Sequence, residues 1–345
     1  MQALASPQLV EAQGAAKDSI PSIVVGGFVD TYISWNFARP QSHLNWLRNF
    51  DVAENQFVLS AAEVDFQKSA NPVGFRIDLN TGSASDIIHS GGPASLNMFL
   101  QAYLTAVIPV GAGLTVDAGK FTTHMGFESI KTKDNYNYSR SFLFAWAIPY
   151  YHLGVRASYP LQNNLSAAVH LCNGWNGTVA NSGKTFGTSI TYAATPALSI
   201  MADWIGGPEQ PDSIGSGFRH VFEGIMTLQT SDRFALALDA SYGIESLPSG
   251  TVLWKGIALY GRFSLSDNSG LCGRVEVYSD PQGHTTALPQ DLKEVTVTYE
   301  YKFPANLIIR TEYRYDWSTS TPFDDTGAAG RSSQSTLGVA AIVTF

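Results

Sequence analysis

The chain has 345 residues, of which 44% are hydrophobic and only 14% are charged, and its formal net charge is −8. A typical soluble domain is about 25% charged, so this chain has too few charged residues to cover the surface of a soluble protein of its length. The acidic balance argues against nucleic acid and anionic lipid as partners.

No apolar run approaches the roughly 18 to 20 residues that a membrane-spanning helix needs. The longest candidate, FLFAWAIPYY at 142–151, contains Pro149. An α-helical membrane protein is therefore not expected. A closed β-barrel is the other architecture that satisfies every backbone polar group in lipid.

The N-terminal segment 1–21 lacks both the basic start and the apolar core of a signal peptide. Ala3-Leu4-Ala5 fits a small-x-small cleavage pattern, which is typical of the end of a signal peptide. Two interpretations stay open, a signal-peptide remnant and an alanine-rich tail. In both, residues 1–21 form a flexible segment and residues 22–345 form one barrel domain.

Alternating apolar and polar residues predict β-strands from residue 22 almost to the C-terminus. Val295, Val297 and Tyr299, for example, alternate with Thr296 and Thr298. Side chains of a strand point alternately to its two faces, so this period of two is the strand signature. Sixteen such segments are predicted, near residues 22–37, 54–68, 71–81, 95–109, 112–122, 150–161, 163–175, 184–195, 197–206, 218–230, 233–244, 252–266, 270–280, 292–304, 306–318 and 334–345.

One segment breaks the alternation. Lys120 falls on the apolar side of GLTVDAGKF, residues 113–121. A β-bulge or a misjudged register is expected there.

The connectors between the predicted strands fall into two alternating classes. The connectors after the even-numbered strands are tight, such as SAN at 69–71 and SD at 231–232, whereas those after the odd-numbered strands are longer. Outer-membrane barrels show this asymmetry, with short periplasmic turns, long extracellular loops and an even number of strands. The sequence therefore predicts an all-β fold, a closed antiparallel transmembrane β-barrel of about sixteen strands.

Charged residues on the polar faces of these strands predict a water-filled pore. Arg or Lys facing lipid costs roughly 2–4 kcal/mol at the bilayer midplane, so these charges should face the lumen. Acids dominate strands 1 to 5 and arginines dominate strands 12 to 15, which suggests a transverse field that orients polar solutes. The alternative, that neighbouring charges pair along the wall, stays open. The predicted pore-lining residues are Asp30, Glu63, Asp65, Arg76, Asp78, Asp117, Arg262, Arg274, Arg310, Glu312 and Arg314.

The longest connector, residues 123–149, combines charges with an apolar segment that should not extend into water. Insertion into the lumen as a constriction loop is the favoured prediction, and packing on the outer mouth or on a neighbouring subunit is the alternative. The predicted pore-constriction residues are Glu128, Lys131, Lys133, Asp134 and Arg140.

Residues with catalytic or metal-binding potential are dispersed. The sequence contains no G-x-S-x-G, P-loop, H-E-x-x-H or C-x-x-C motif, and the seven histidines show no ligand spacing. Cys172 and Cys272 are expected on distant strands as free thiols. We therefore predict no enzyme activity, no catalytic residues, no metal and no cofactor.

The last strand, STLGVAAIVTF at 335–345, has one strongly apolar face that includes Leu337 and Phe345. An exposed strand edge of this kind would promote aggregation, so pairing with the first strand is expected to close the barrel. An aromatic terminus after alternating apolar residues resembles the assembly signal of bacterial outer-membrane proteins.

The stretch KDNYNYSRSFLFAWAIPYYHLGVRASYPL at 133–161 resembles the hallmark of the OmpL-like family of β-barrel porins. GGFVDTYISWNF at 26–37 and GFRIDLNTG at 74–82 fit its first and third strands, so the resemblance covers residues 22–345. It implies a porin of the bacterial outer membrane without naming a substrate, and it transfers no functional residues.

The predicted function is passive diffusion of small hydrophilic solutes and ions, with outer-membrane lipid as the surroundings. The resemblance to sixteen-stranded porins, which as a class are trimers, implies a homotrimer as an open expectation. Two alternatives remain, a plugged barrel that acts as a receptor or structural protein, and an outer-membrane enzyme.

Overall fold

The computed structural model describes residues 22–90, 96–176, 181–215, 217–324 and 330–345. Within them, sixteen antiparallel strands form a closed barrel, in which each strand pairs with its neighbours in sequence and β1 pairs with β16. The predicted all-β, sixteen-stranded antiparallel barrel is confirmed. The prediction of a flexible segment at residues 1–21 lies outside the described residues.

The strands lie close to the predicted segments and differ from them mainly at their ends. Their bounds are β1 Val24–Asn36, β2 Phe57–Lys68, β3 Val73–Thr81, β4 Phe99–Ile108, β5 Leu114–Thr122, β6 Tyr151–Gln162, β7 Leu165–Cys172, β8 Thr185–Thr195, β9 Leu198–Pro208, β10 Phe218–Ser231, β11 Phe234–Leu247, β12 Gly250–Ser264, β13 Ser269–Asp280, β14 Gln290–Phe303, β15 Leu307–Ser318 and β16 Ser333–Thr344.

The two faces of the strands differ in exposure as the alternation predicts. On β14, Val297 and Tyr299 are 44% and 42% exposed, whereas Thr298 and Glu300 are at most 1% exposed. The outer surface is therefore apolar, and the polar residues point into the barrel. An apolar outward band is what a barrel in lipid requires.

The connectors between strands keep the predicted asymmetry with one exception. The connector between β11 and β12 was expected to be long, but it consists of residues 248–249. Both strands extend beyond their predicted ends, and Leu247 pairs with Gly250. Gly250 has φ +124, a conformation that side-chain-bearing residues rarely adopt, so this glycine permits the tight turn.

The irregularity predicted at Lys120 is not a bulge in β5. The β4–β5 and β5–β6 registers are continuous through Lys120. The Lys120 ammonium lies 4.1 Å from the centre of the Tyr151 ring and donates to the Leu96 carbonyl at 3.2 Å. The Tyr151 ring and the Leu96 carbonyl thus give the Lys120 ammonium contacts on the apolar side of β5.

In the part of the chain that the structure describes, helical structure is limited to short segments in the connectors. The α-helix α1 Ser83–Ile88 follows β3, and a π-helical turn, Leu143–Ala147, lies in the longest connector. Single 3-10 turns occupy Thr132–Asp134 and Pro304–Asn306. None of the helices in the described residues is long and apolar enough to cross a membrane.

The buried apolar core lies where the longest connector meets the inner face of the barrel. Phe142 and Leu143 of the connector are fully buried and belong to one cluster with Trp254, Tyr260 and Tyr278 of β12 and β13. The packing of these rings brings the connector against the wall.

The barrel closes between its first and last strands, as the apolar C-terminus predicts. β1 and β16 pair from Phe28 opposite Thr344 to Asn36 opposite Thr336. Phe345 also exchanges two backbone hydrogen bonds with Gly27, at 3.2 and 3.3 Å. The terminal strand therefore has no free edge along this pairing.

Candidate functional site

The segment 123–149 donates its backbone N–H groups to carboxyl groups on the inner wall. Gly126 N–H donates to Glu223 at 2.6 Å, and Ser139 N–H donates to Glu312 at 2.9 Å. Glu276 accepts from two further N–H groups of the segment. Buried N–H groups outside regular structure need acceptors, and the wall supplies them. These contacts reach β10, β13 and β15.

Arginines on the same wall bind the carbonyl groups of the segment. Arg310 donates to the carbonyls of Thr132 and Asn135, both at 2.7 Å. Two more arginines do the same, Arg274 to the Ser139 carbonyl at 2.7 Å and Arg314 to the Arg140 carbonyl at 2.5 Å. Carboxyl and guanidinium groups of the wall together fix the path of the segment.

Lys131 joins the segment to β2 and β3. Its ammonium lies 2.5 Å from Glu63 and 2.7 Å from Asp78. Burial alone would lower the pKa of Lys131, but Asp78 and Glu63 outweigh burial and raise it above its usual value. Lys131 therefore stays charged and balances the two acids.

Glu128 and Arg140 stabilise the segment itself and its contact with the wall. Glu128 lies 2.6 Å from Arg274, which also pairs with Glu294 at 2.6 Å. Arg140 donates to three carbonyls of its own segment. Burial lowers the pKa of Arg140 from its usual value, and these acceptors offset part of the cost of burying the charge.

Lys133 and Asp134 behave differently from the other three predicted constriction residues. They pair with each other at 2.8 Å, and their side chains are 29% and 35% exposed. Neither residue forms an ion pair with the wall among the described residues. Their charges are therefore accessible to solvent.

The predicted pore-lining residues divide into two groups. Seven of them are buried and contact segment 123–149 directly. They are Asp30, Glu63, Asp78, Arg274, Arg310, Glu312 and Arg314. We call Arg274, Arg310, Glu312 and Arg314 the anchored wall.

Of the other four predicted residues, Asp65, Arg76 and Arg262 keep partial exposure, whereas the Asp117 side chain is only 9% exposed. Asp65 and Arg76 are 20% and 18% exposed, and Asp117 pairs with Arg156, which is 26% exposed. We call Asp65, Arg76, Asp117 and Arg156 the accessible wall. Arg262 is also 26% exposed and pairs with Glu300 at 2.8 Å.

Three histidines that the sequence analysis regarded as dispersed come together inside the barrel. The rings of His124 and His170 stack at 4.0 Å, and the His152 ring lies 6.0 Å from that of His124. Burial lowers the pKa of His124 to about 4, so this ring is neutral at pH 7. The three histidines lie on separate elements, so no spacing in the sequence groups them. The only indication was the alternation on β6 and β7, which concerns His152 and His170.

Three carboxyl groups that alternation places on the inner face lie on neighbouring strands. Asp203, Glu223 and Asp239 are 5%, 5% and 2% exposed on the inner faces of β9, β10 and β11. Their inward position follows from the alternation, but burial was not foreseeable from it. No group of three His, Cys, Asp or Glu side chains in the described residues is arranged to hold a metal ion.

Solved structures similar to this chain are barrels of the outer membrane. The anion-selective porin from Comamonas acidovorans is 12% identical, with a TM-score of 0.68, and the match covers 94% of this chain and 99% of that one. The outer membrane channel DcaP of Acinetobacter baumannii is 12% identical, with a TM-score of 0.64 and coverage of 96% and 99%. At this identity the likeness shows the fold alone.

A third similar structure is the trimer form of in-vitro folded OmpT, an outer membrane protein of Vibrio cholerae. It is 12% identical, with a TM-score of 0.61, and the match covers 95% of this chain and 100% of that chain. No curated protein matches the sequence. The family model described as "Putative beta-barrel porin-2, OmpL-like" matches residues 22–345. The chain thus belongs to the OmpL-like β-barrel porin-2 family.

Proposed function

We propose that the protein is an outer-membrane porin through which small hydrophilic solutes and ions diffuse passively. One observation carries this proposal, the division of the inner face into a wall bound to segment 123–149 and a wall whose charges keep contact with solvent. A segment bound to the inner face of the barrel would narrow the lumen. The accessible wall would then border the permeation path.

The charges along that path are arranged in pairs. Arg76 donates to Asp78 at 2.8 Å and Arg156 to Asp117 at 2.7 Å. The two arginines are 18% and 26% exposed, whereas the side chains of Asp78 and Asp117 are 0% and 9% exposed, so a passing solute would meet mainly the guanidinium groups. Such walls select by size and charge rather than by tight binding.

Lys133 and Asp134 are the charges of the constriction loop that a solute would meet. Their mutual pair leaves both groups exposed by about a third. Exposed pairs contribute little to stability, so these two residues are free to act on permeating ions. The anchored residues Glu128, Lys131 and Arg140 would instead fix the width of the pore.

We place the barrel in a bacterial outer membrane, where its apolar outer surface contacts lipid, and we propose a homotrimer. The family and the barrel architecture support the location. The trimer form of OmpT supports the oligomeric state by analogy of fold. Chemical crosslinking in native outer-membrane vesicles tests it, and a crosslinked product no larger than a monomer would contradict it.

A plugged barrel that acts as a receptor or structural protein is the second candidate. The density of contacts between segment 123–149 and the wall favours it, because Phe142, Leu143 and Ser139 are all fully buried. An outer-membrane enzyme would need a catalytic group at the rim. Hydrolase assays in detergent test that alternative.

Conductance of the refolded protein in a planar bilayer, with asymmetric salt, tests the porin proposal. Discrete ohmic steps support an open pore, and the reversal potential gives the ion preference. A protein that is inserted and β-rich but shows no conductance would support the plugged barrel.

A further inference from the structure

A cavity of about 270 Å³ opens at the long-loop end of the barrel. Its wall comes from the longest connector, from the connectors after β7 and β13, and from the first residues of β10 and β12. We call it the aromatic vestibule, after the residues that the argument uses: Trp146, Tyr150, Trp175, Asn176, Arg219 and Trp254.

Three of the four aromatic rings are held in place by their own polar atoms. The indole N–H of Trp254 donates to the Ala147 carbonyl at 3.1 Å, and that of Trp146 donates to the Leu47 carbonyl at 3.1 Å. The hydroxyl of Tyr150 donates to the Ala145 carbonyl at 3.0 Å. Trp146 and Trp175 are partly exposed and offer a ligand their apolar ring surfaces, with little ordering left to do on binding. Tyr150 and Trp254 are 8% and 1% exposed and form the back of the cavity.

The carboxylate of Glu245 beside the vestibule and the amide oxygen of Asn176 in its wall are already occupied. Glu245 is fully buried and accepts from Gln210 at 2.7 Å, from Arg219 at 2.6 Å and from the His284 ring at 2.9 Å. The side-chain oxygen of Asn176 accepts from the Tyr150 N–H at 2.8 Å. A ligand that brings donors finds few places to donate.

The donor atoms, in contrast, have capacity left. Arg219 uses Nε and Nη2 on Glu245, and within the described chain its Nη1 has no protein partner. The same holds for the amide nitrogen of Asn176 and the indole nitrogen of Trp175. The guanidinium stacks 4.7 Å from the Trp175 ring, which fixes its plane. A planar guanidinium with an open edge matches a carboxylate.

We propose that the aromatic vestibule binds a small organic carboxylate whose body is a ring, with the carboxylate on Arg219, Asn176 and the indole N–H of Trp175, and the ring against the exposed tryptophan surfaces. Glu245 accepts from Nε and Nη2 of Arg219 and does not line the cavity, so Nη1 is the donor left for the ligand. If the protein acts as the proposed porin, this site would bind such carboxylates at the pore entrance and raise their local concentration there.

Binding in detergent tests the site without requiring conductance. Benzoate, benzamide and benzamidine share one shape and differ in charge, so tryptophan fluorescence titrated with each reports what the vestibule recognises. Benzoate is expected to give a saturable change, benzamide a weaker one and benzamidine none. Benzamide or benzamidine binding as tightly as benzoate would overturn the proposal.

Two variants locate the binding. Arg219→Gln should weaken benzoate binding about tenfold, since it removes a charged donor, whereas the exposed Arg233→Gln at the opposite end should leave it unchanged. Trp175→Phe keeps the ring and removes one donor, so it should weaken binding about two- to fivefold even if Arg219→Gln fails to fold. Equal affinities in Trp175→Phe and the parent would overturn the assignment of the indole donor.

The results also separate this proposal from the porin proposal. Benzoate binding without conductance would keep the vestibule and favour a receptor. Conductance without benzoate binding would keep the pore and refute the vestibule.

Discussion

The anchored wall and the accessible wall both combine arginines with carboxylates and face the same lumen, but their arginines differ in exposure. The side chains of Arg274 and Arg310 are 0% and 1% exposed, whereas those of Arg76 and Arg156 are 18% and 26% exposed. The difference comes from segment 123–149, which supplies carbonyl acceptors to the first pair. The arginines that the segment covers are therefore structural, and Arg76 and Arg156 remain accessible to solvent.

Removing a charged residue should lower the free energy of unfolding much more on the anchored wall than on the accessible wall. Removing one partner of a buried ion pair leaves an uncompensated charge, whereas an exposed pair is solvated after the same change. Substitutions of matched residues on the two walls therefore test the comparison directly.

The largest effect is expected for Arg274→Met. This change leaves Glu128 and Glu294 buried without their shared guanidinium, so the free energy of unfolding should fall by about 3–5 kcal/mol. Loss of the anchor should also release the segment and alter single-channel conductance. Urea unfolding in detergent measures the first effect and bilayer recording the second.

Arg156→Met on the accessible wall is the matched control for Arg274→Met. Arg156 is 26% exposed, and Asp117 keeps the Thr105 hydroxyl as a donor after the change, so the expected loss is smaller than for Arg274→Met, about 1 kcal/mol. Equal losses in the two variants would remove the distinction between the walls.

Glu312→Gln should have the next largest effect. Glu312 accepts from the N–H groups of Tyr138 and Ser139 and from the Thr298 hydroxyl. An amide in its place directs an NH2 group at one of these donors, which should cost about 1–3 kcal/mol. The unfolding midpoint of Asp117→Asn, measured in parallel, should move less, and a larger shift in that control would contradict the assignment.

Acidification should weaken the barrel through His124, which lies beside the accessible wall. Burial lowers the pKa of His124 to about 4 from an ordinary value of 6.5, and Arg156 acts in the same direction. The unfolded chain then binds more protons between pH 6.5 and 4, so stability is lost as the pH falls through that window. Unfolding midpoints at pH 7.5 and 4.5 measure the loss, and His124→Asn should reduce it. An unchanged pH dependence in that variant would exclude the role of His124.

The smallest effect on stability is expected for Lys133→Glu. The side chain is exposed, so the free energy of unfolding should change by less than about 0.5 kcal/mol. The added negative charge should nevertheless shift the reversal potential towards cation preference. A reversal potential identical to that of the parent protein would show that Lys133 does not border the ion path.

Alternation in the sequence was sufficient to predict the strands and the direction of their side chains. It identified Arg274 and Arg76 as inward residues, but it could not separate them, because period two gives the face and not the partner. The partner depends on the path of segment 123–149, which is set by contacts between residues far apart in sequence, such as Ser139 and Glu312. The short β11–β12 turn was missed because the alternation of apolar and polar residues does not show where β11 ends and β12 begins around Gly250.

The contacts of segment 123–149 on both sides of the seam have a consequence for the order of folding. Direct pairing of β1 with β16 joins residues about 310 positions apart, as between Thr31 and Ala341. The segment reaches Asp30 over 102 positions and Glu312 over 174. Loop closure between residues far apart in sequence slows folding. The two shorter loops, from the segment to Asp30 and from the segment to Glu312, can therefore close before β1 pairs with β16. The segment would thus serve as a template on which the two ends of the sheet meet, with the last strand completing the ring.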